Sequence, residues 1–122
     1  MSDLNVTSIS DLTGSGPAEL VGQSAAKNWV NFNQTGTISI RESFNTTSIT
    51  DNGTGLTTIN YTNSFSVSDE CVSLSSSTAI GRPNQMLNSI TTTAHQIRIY
   101  RGDTNASADA SIVCTTRHGD LA

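Results

Sequence analysis

Residues 25–33 read AAKNWVNFN, with Ala26, Asn28, Val30 and Phe32 on one side of an extended chain and Trp29, Asn31 and Asn33 on the other. A period of two fits a pleated strand, whose successive side chains point to opposite faces; it does not fit a helix, whose faces repeat about every 3.6 residues. The same period returns along the chain. TGTISIRESF (35–44) places Ile38, Ile40 and Phe44 on one face and Arg41 on the other. CVSLSSST (71–78) alternates Cys71, Ser73 and Ser75 with Val72 and Leu74. AHQIRIYR (94–101) groups His95, Ile97 and Ile99 opposite Gln96, Arg98 and Tyr100, and SIVCTTR (111–117) forms the last strand.

Turn chemistry separates these runs. DNGTG (51–55) lies between TTSIT (46–50) and LTTINYT (56–62), and a short polar linker with Asn-Gly between β-prone runs signals a hairpin. Asn52 and Gly53 are the expected positions of positive φ, and Gly55 is the expected bulge residue. GRPNQ (81–85) and GDTNASADA (102–110) read as loops. Seven or eight short strands with a turn about every ten residues predict an all-β antiparallel sandwich, jelly-roll-like, as one domain over 25–122. Residues 1–24, with Gly14, Gly16 and Pro17 and little periodicity, read as an N-terminal arm for docking or assembly. LNVTSI (4–9) is its one strand-like run.

Composition agrees. Ser, Thr and Asn supply 47 of 122 residues and charged residues only 13%. Small polar side chains compete with helical hydrogen bonds, so a helix bundle is excluded. The net charge is -4, with one lysine, Lys27, and the arginines Arg41, Arg82, Arg98, Arg101 and Arg117 scattered, which argues against nucleic acid as a partner. No apolar run approaches the roughly 18 residues needed to cross a bilayer, so no membrane insertion is expected. The start, MSDLNVTSIS, lacks a basic flank before an apolar stretch, so synthesis in a cytoplasm is expected.

The sequence offers no catalytic, cofactor-binding or metal-ligating residue, and the expectation is a protein that is not an enzyme. No Gly-x-Ser-x-Gly elbow and no phosphate-cradling glycine loop occurs. His95 shares its face with Ile97 and Ile99 and reads as a core or interface histidine. His118 and Asp120 lie in the polar tail RHGDLA and do not make a triad. Asp69 and Glu70 are adjacent, point apart, and read as a solvated turn. Cys71 and Cys114 lack zinc-ligand spacing and are expected to be buried, reduced thiols. Arg101-Gly102-Asp103 reads first as a turn. Six Asn-x-Ser/Thr sequons, at Asn5, Asn33, Asn45, Asn52, Asn60 and Asn105, follow from the abundance of those residues.

The stretch from residue 25 to 62 also carries a longer pattern: Trp29-Val30-Asn31-Phe32-Asn33, Gly36-Thr37, Ile40-Arg41, Ser43-Phe44-Asn45 and Ile49-Thr50-Asp51-Asn52-Gly53-Thr54-Gly55. In these residues the chain resembles virion structural proteins of tailed bacteriophages, the tail fibre or spike-like β domains of marine and cyanobacterial phages. It departs from them at Thr57, where tyrosine is common, and at Cys71, which follows Asp69 where an aromatic is usual. The resemblance implies a non-enzymatic virion component whose expected partners are its own copies in a homotrimer, other tail or capsid proteins bound through residues 1–24, and a host-surface glycan or protein. Two roles stay open: a small fibre or spike component touching the host, and a capsid or tail decoration protein with a purely structural role. Trp29, opposite the Val30/Phe32 face, or the Ile97/Ile99 face is expected to supply apolar contact between subunits.

Overall fold

The computed structural model describes residues 25–77 and 83–122. The arm, with its LNVTSI run and Asn5, lies outside the described residues, as do residues 78–82. Eight strands follow in order: β1 Ala26–Asn33, β2 Ser39–Phe44, β3 Thr46–Gly53, β4 Leu56–Tyr61, β5 Val72–Ser76, β6 Pro83–Ile90, β7 Ala94–Arg101 and β8 Val113–His118. They form two four-stranded antiparallel sheets, β2-β1-β8-β5 (sheet one) and β3-β4-β7-β6 (sheet two), with no helix among the described residues. The fold is a β-sandwich.

The core lies where the alternation puts it. Val30, Phe32 and Val113 of sheet one meet Ile59, Tyr61, Ile97 and Ile99 of sheet two, and Phe65 and Ala110 close the two ends. Each large apolar side chain removed from water contributes about 1.5–3 kcal/mol. Ile97 and Ile99 are wholly buried in this core, so they offer no surface for a subunit contact.

Three features break the simple pattern. Arg41 is an extra residue where β2 pairs with β1, the register passing from Asn31↔Glu42 to Phe32↔Ile40. A bulge inverts the alternation, so Ile40 and Phe44 fall on opposite faces instead of sharing one. Phe44, 52% exposed, sits across from Trp29 on the outside of sheet one. Second, residues 83–85, expected as loop, open strand β6. That strand is an edge that pairs only with β7, and proline at the first position of an edge strand removes no ladder bond that the sheet uses. Third, the hairpin after β3 turns at Thr54 and Gly55. Gly53 and Gly55 take the positive φ values, 122° and 69°, while Asn52 is the bulged residue between the Asp51 and Gly53 pairs.

Strand direction divides the sandwich into two ends. At the corner end the chain enters β1, passes from β2 in sheet one to β3 in sheet two, and finishes at Ala122. The passage between sheets is made by Asn45 alone, in the left-handed region at φ 54°. Asparagine tolerates that conformation better than most residues. Its side-chain amide spans Lys27 O (3.0 Å), Asn63 O (3.1 Å) and Asn63 N (2.7 Å), while buried Asn28 donates to the carbonyls of Phe44 and Asn45 at 3.1 and 3.0 Å. At the opposite, hairpin end lie the Thr54–Gly55 turn and the 102–112 loop. Here a Cβ on Gly55 would collide with the carbonyl oxygen of Ile99, and the Gly55 amide donates to Asp109 Oδ1 at 2.6 Å. Gln34 ties the sheets together, giving its Nε2 to Thr57 Oγ1 (3.0 Å) and accepting at Oε1 from Ala110 N (3.1 Å).

Candidate functional site

His95 is a core histidine, joined to a chain of polar groups that runs through the interior. Arg117, fully buried at the end of β8, donates through Nη1 to Tyr61 Oη at 2.8 Å. An arginine can only donate, so the tyrosine spends its own proton on His95 Nδ1, 2.6 Å away. That leaves the imidazole proton on Nε2, where it donates to Thr115 Oγ1 at 3.1 Å. Burial, and secondarily the nearby Arg117 charge, lower the His95 pKa to about 4, so the ring is neutral at pH 7. Burial likewise raises the Tyr61 pKa.

Glu70 corrects the solvated-turn reading. Asp69 is exposed, but the Glu70 carboxylate is 10% exposed and pairs with Arg117 Nη2 at 2.8 Å. The same guanidinium holds Thr91 O (2.7 Å) and Val67 O (2.8 Å) and stacks 3.9 Å over the Phe65 ring. Glu70 Oε1 takes the Asp120 amide at 3.1 Å. One arginine thus ties the 62–71 loop, the β6–β7 turn and the C-terminal residues to the sandwich. Its signal in the sequence is its phase: Val113, Thr115 and Arg117 share the inward face of β8. The network meets solvent at the Glu70 carboxylate, and every Arg117 donor is spent within the protein, so its role is to hold the fold.

The outer face of sheet two is an array of amides and hydroxyls. Amides and hydroxyls pair across strands there: Asn60 with Ser48 and Thr50, Thr58 with Asn52, Gln96 with Thr58, and Asn88 with Gln96. At its hairpin end a depression of about 450 Å³ is lined by Asn52, Thr54, Leu56, Asn88, Arg98 and Ser107, among others. The β3–β4 hairpin forms one wall, positioned by the turn at Gly55. Arg98 crosses the floor, its Nε held by Ser107 Oγ at 3.1 Å and its guanidinium 5.6 Å from the Tyr100 ring centre. The alternation along β7 sets Arg98 opposite Ile97 and Ile99, but Ser107 comes beside it only through the return of the 102–112 loop in three dimensions.

The remaining sequence candidates are kept apart. Cys71 is exposed and Cys114 half-buried, both free thiols at the outside of sheet one, which corrects the expected burial. Cys71 lies beside His118 and Cys114 beside Ser75. Four residues of strand, about 13 Å at ~3.3 Å per residue, separate the thiols, beyond disulfide reach. Arg101 and Asp103 pair with each other at 3.0 Å, so the tripeptide closes on itself. Asn33, Asn45, Asn52 and Asn60 brace turns and strands through their own side chains. Among the described residues, no three His, Cys, Asp or Glu side chains are grouped to hold a metal ion.

No family model, no curated protein and no solved structure matches the chain.

Proposed function

We propose that this protein is a non-enzymatic virion component of a tailed bacteriophage, a small tail fibre or spike-type part exposed on the particle and contacting the host surface. The observation that carries this reading is the pattern from Trp29 to Gly55. Its residues occupy architectural positions: Val30 and Phe32 in the core, Arg41 at the bulge, Asn45 at the corner between sheets, and Gly53 and Gly55 in the turn. A pattern tied to architecture belongs to a shared domain more than to a shared ligand. The polarity of the domain supports host contact. Residue 25 enters at the corner end, where residues 1–24 would dock to the particle, and the depression beside Arg98 lies at the other end. Assembly as a homotrimer would cover Trp29 and the exposed Phe44 beside it.

That same Trp29–Phe44 pair favours a second reading, a decoration protein held flat against a capsid or tail by sheet one. Quantitative mass spectrometry of purified particles of the encoding phage separates the two. A few dozen copies or fewer per particle support the fibre or spike; hundreds support decoration. Absence of the chain from the particle overturns both.

A further inference from the structure

We propose that the depression at the hairpin end of sheet two binds an acidic sugar, a glycan unit bearing a carboxylate, with Arg98 as its anchor. Such binding would serve the host-contact role above, on which its biological meaning rests. Arg98 is the only formal charge among the outward-facing strand residues of sheet two; the other outward positions are Ser, Thr, Asn, Gln, Ala, Leu, Met and Tyr. Its Nε is committed to Ser107 and its plane is set beside Tyr100. Both Nη groups are without a protein partner among the described residues. A guanidinium fork held at its base and open at its tip matches a carboxylate, which it takes through two parallel hydrogen bonds.

The rim suits the rest of a sugar. Asn52 Oδ1 is occupied by Thr58 Oγ1 (2.6 Å) and Gln96 Nε2 (3.2 Å), so its Nδ2 remains free to donate. Asn88 spends its Nδ2 on Gln96 Oε1, at 2.5 Å, and keeps its own Oδ1 to accept. A hydroxyl both donates and accepts, so it satisfies either group. Leu56 adds an apolar patch for the C–H face of a pyranose ring. The acids on adjoining segments are held by the turn: Asp51 by Gly53 N at 2.9 Å and Asp109 by Gly55 N at 2.6 Å. With one cation and a neutral rim, the site favours a singly charged carboxylate over doubly charged phosphate. The volume of about 450 Å³ falls within the usual range for small-ligand sites.

The test is a titration of the isotope-labelled protein, followed by amide NMR at constant ionic strength near neutral pH. Sodium glucuronate, glucose, sodium acetate and inorganic phosphate are the probes. Glucuronate should shift the signals of residues 53–56 and 98 and saturate on the order of millimolar. Glucose, acetate and phosphate should do so at least about tenfold more weakly. Arg98→Gln should weaken glucuronate about tenfold. Asn52→Asp, which leaves Arg98 in place but sets a carboxylate on the rim, should weaken it comparably while the rest of the spectrum stays native. An equal response to acetate or phosphate, an equal response to glucose, or glucuronate binding unaltered in Asn52→Asp would overturn the proposal. A chain absent from the particle would defeat the virion reading without touching this measurement.

Discussion

At the corner end, fully buried Arg117 gathers Glu70, Tyr61 and two loop carbonyls. At the hairpin end the same task, tying loops to both sheets, falls in the interior to Gln34, Thr57 and the backbone of Gly55 and Ala110, with Asp109 bracing the turn. The difference is one of chemistry and of consequence. A buried guanidinium satisfies several carbonyls at once and fixes the tautomer of His95 through Tyr61, but it makes stability depend on protonation and on every partner being present. Neutral amides carry no such dependence. The corner end uses its arginine inward; the hairpin end leaves Arg98 facing out. One end of the molecule is built to hold and the other is free to bind.

The largest effect should come from breaking the charged end. Arg117→Met leaves Glu70 buried without its partner and orphans the carbonyls of Val67 and Thr91, an expected loss of about 3–5 kcal/mol. Thermal or urea denaturation reads it. Adding Glu70→Gln should restore part of that loss, and no recovery at all would show that packing against Phe65 outweighs the charge pair.

Acid should weaken the corner end next. The folded pKa of His95, about 4, lies below its ordinary value of 6.5. The unfolded chain therefore binds the proton first. The stabilisation is full above pH 6.5, declines as pH falls, and is gone below about 4. At about 1.4 kcal/mol per pKa unit the span is roughly 3 kcal/mol. Urea midpoints measured across that window should slope downward toward acid, and His95→Gln should flatten the slope. An unchanged slope in that variant would assign the acid sensitivity to other groups.

The hairpin end should respond to backbone changes in place of pH. Gly55→Ala combines a positive φ with collision against the Ile99 carbonyl and should cost near the top of about 1–3 kcal/mol. Gly53→Val meets open space and carries only the backbone strain, so it should cost less. If the two melt alike, the close approach of the turn to β7 is not what constrains Gly55. Gln34→Leu removes one neutral clasp and leaves the Ala110 amide with its partner lost, an expected 1–2 kcal/mol or so, equal at pH 5 and 7. The smallest effect is none: reductant should leave the melting temperature unchanged. A disulfide across the 43 residues from Cys71 to Cys114 would contribute about 4 kcal/mol, which a calorimetric scan would reveal at once.

How far the sequence could be read differs between the two ends. The DNGTG hairpin, the common face of Val30 and Phe32 and that of Ile97 and Ile99 are legible, because turn residues and period-two spacing are local properties; that Ile97 and Ile99 face the core and not another subunit is decided by the packing of the sheets. β6 was missed because its Pro83 reads as a strand breaker until its place on an edge is known. The face of Phe44 was misassigned because one extra residue, Arg41, reverses the alternation without any mark in composition. Glu70 looked like a solvated turn residue because its partner is 47 positions away.

The amino-acid sequence by itself determined the class of fold: alternating apolar residues, abundant Ser, Thr and Asn, and glycines at the turns leave an antiparallel β-sandwich as the form that buries the apolar half and hydrates the rest. Tertiary structure decided what the polar residues do. Sheet order and register set Arg117 against Glu70, turned Asn45 into the corner between sheets, and brought Ser107 beside Arg98. These are pairings between distant segments, and side-chain chemistry alone does not specify which of many equivalent amides, hydroxyls and arginines will meet; the geometry of strand pairing does.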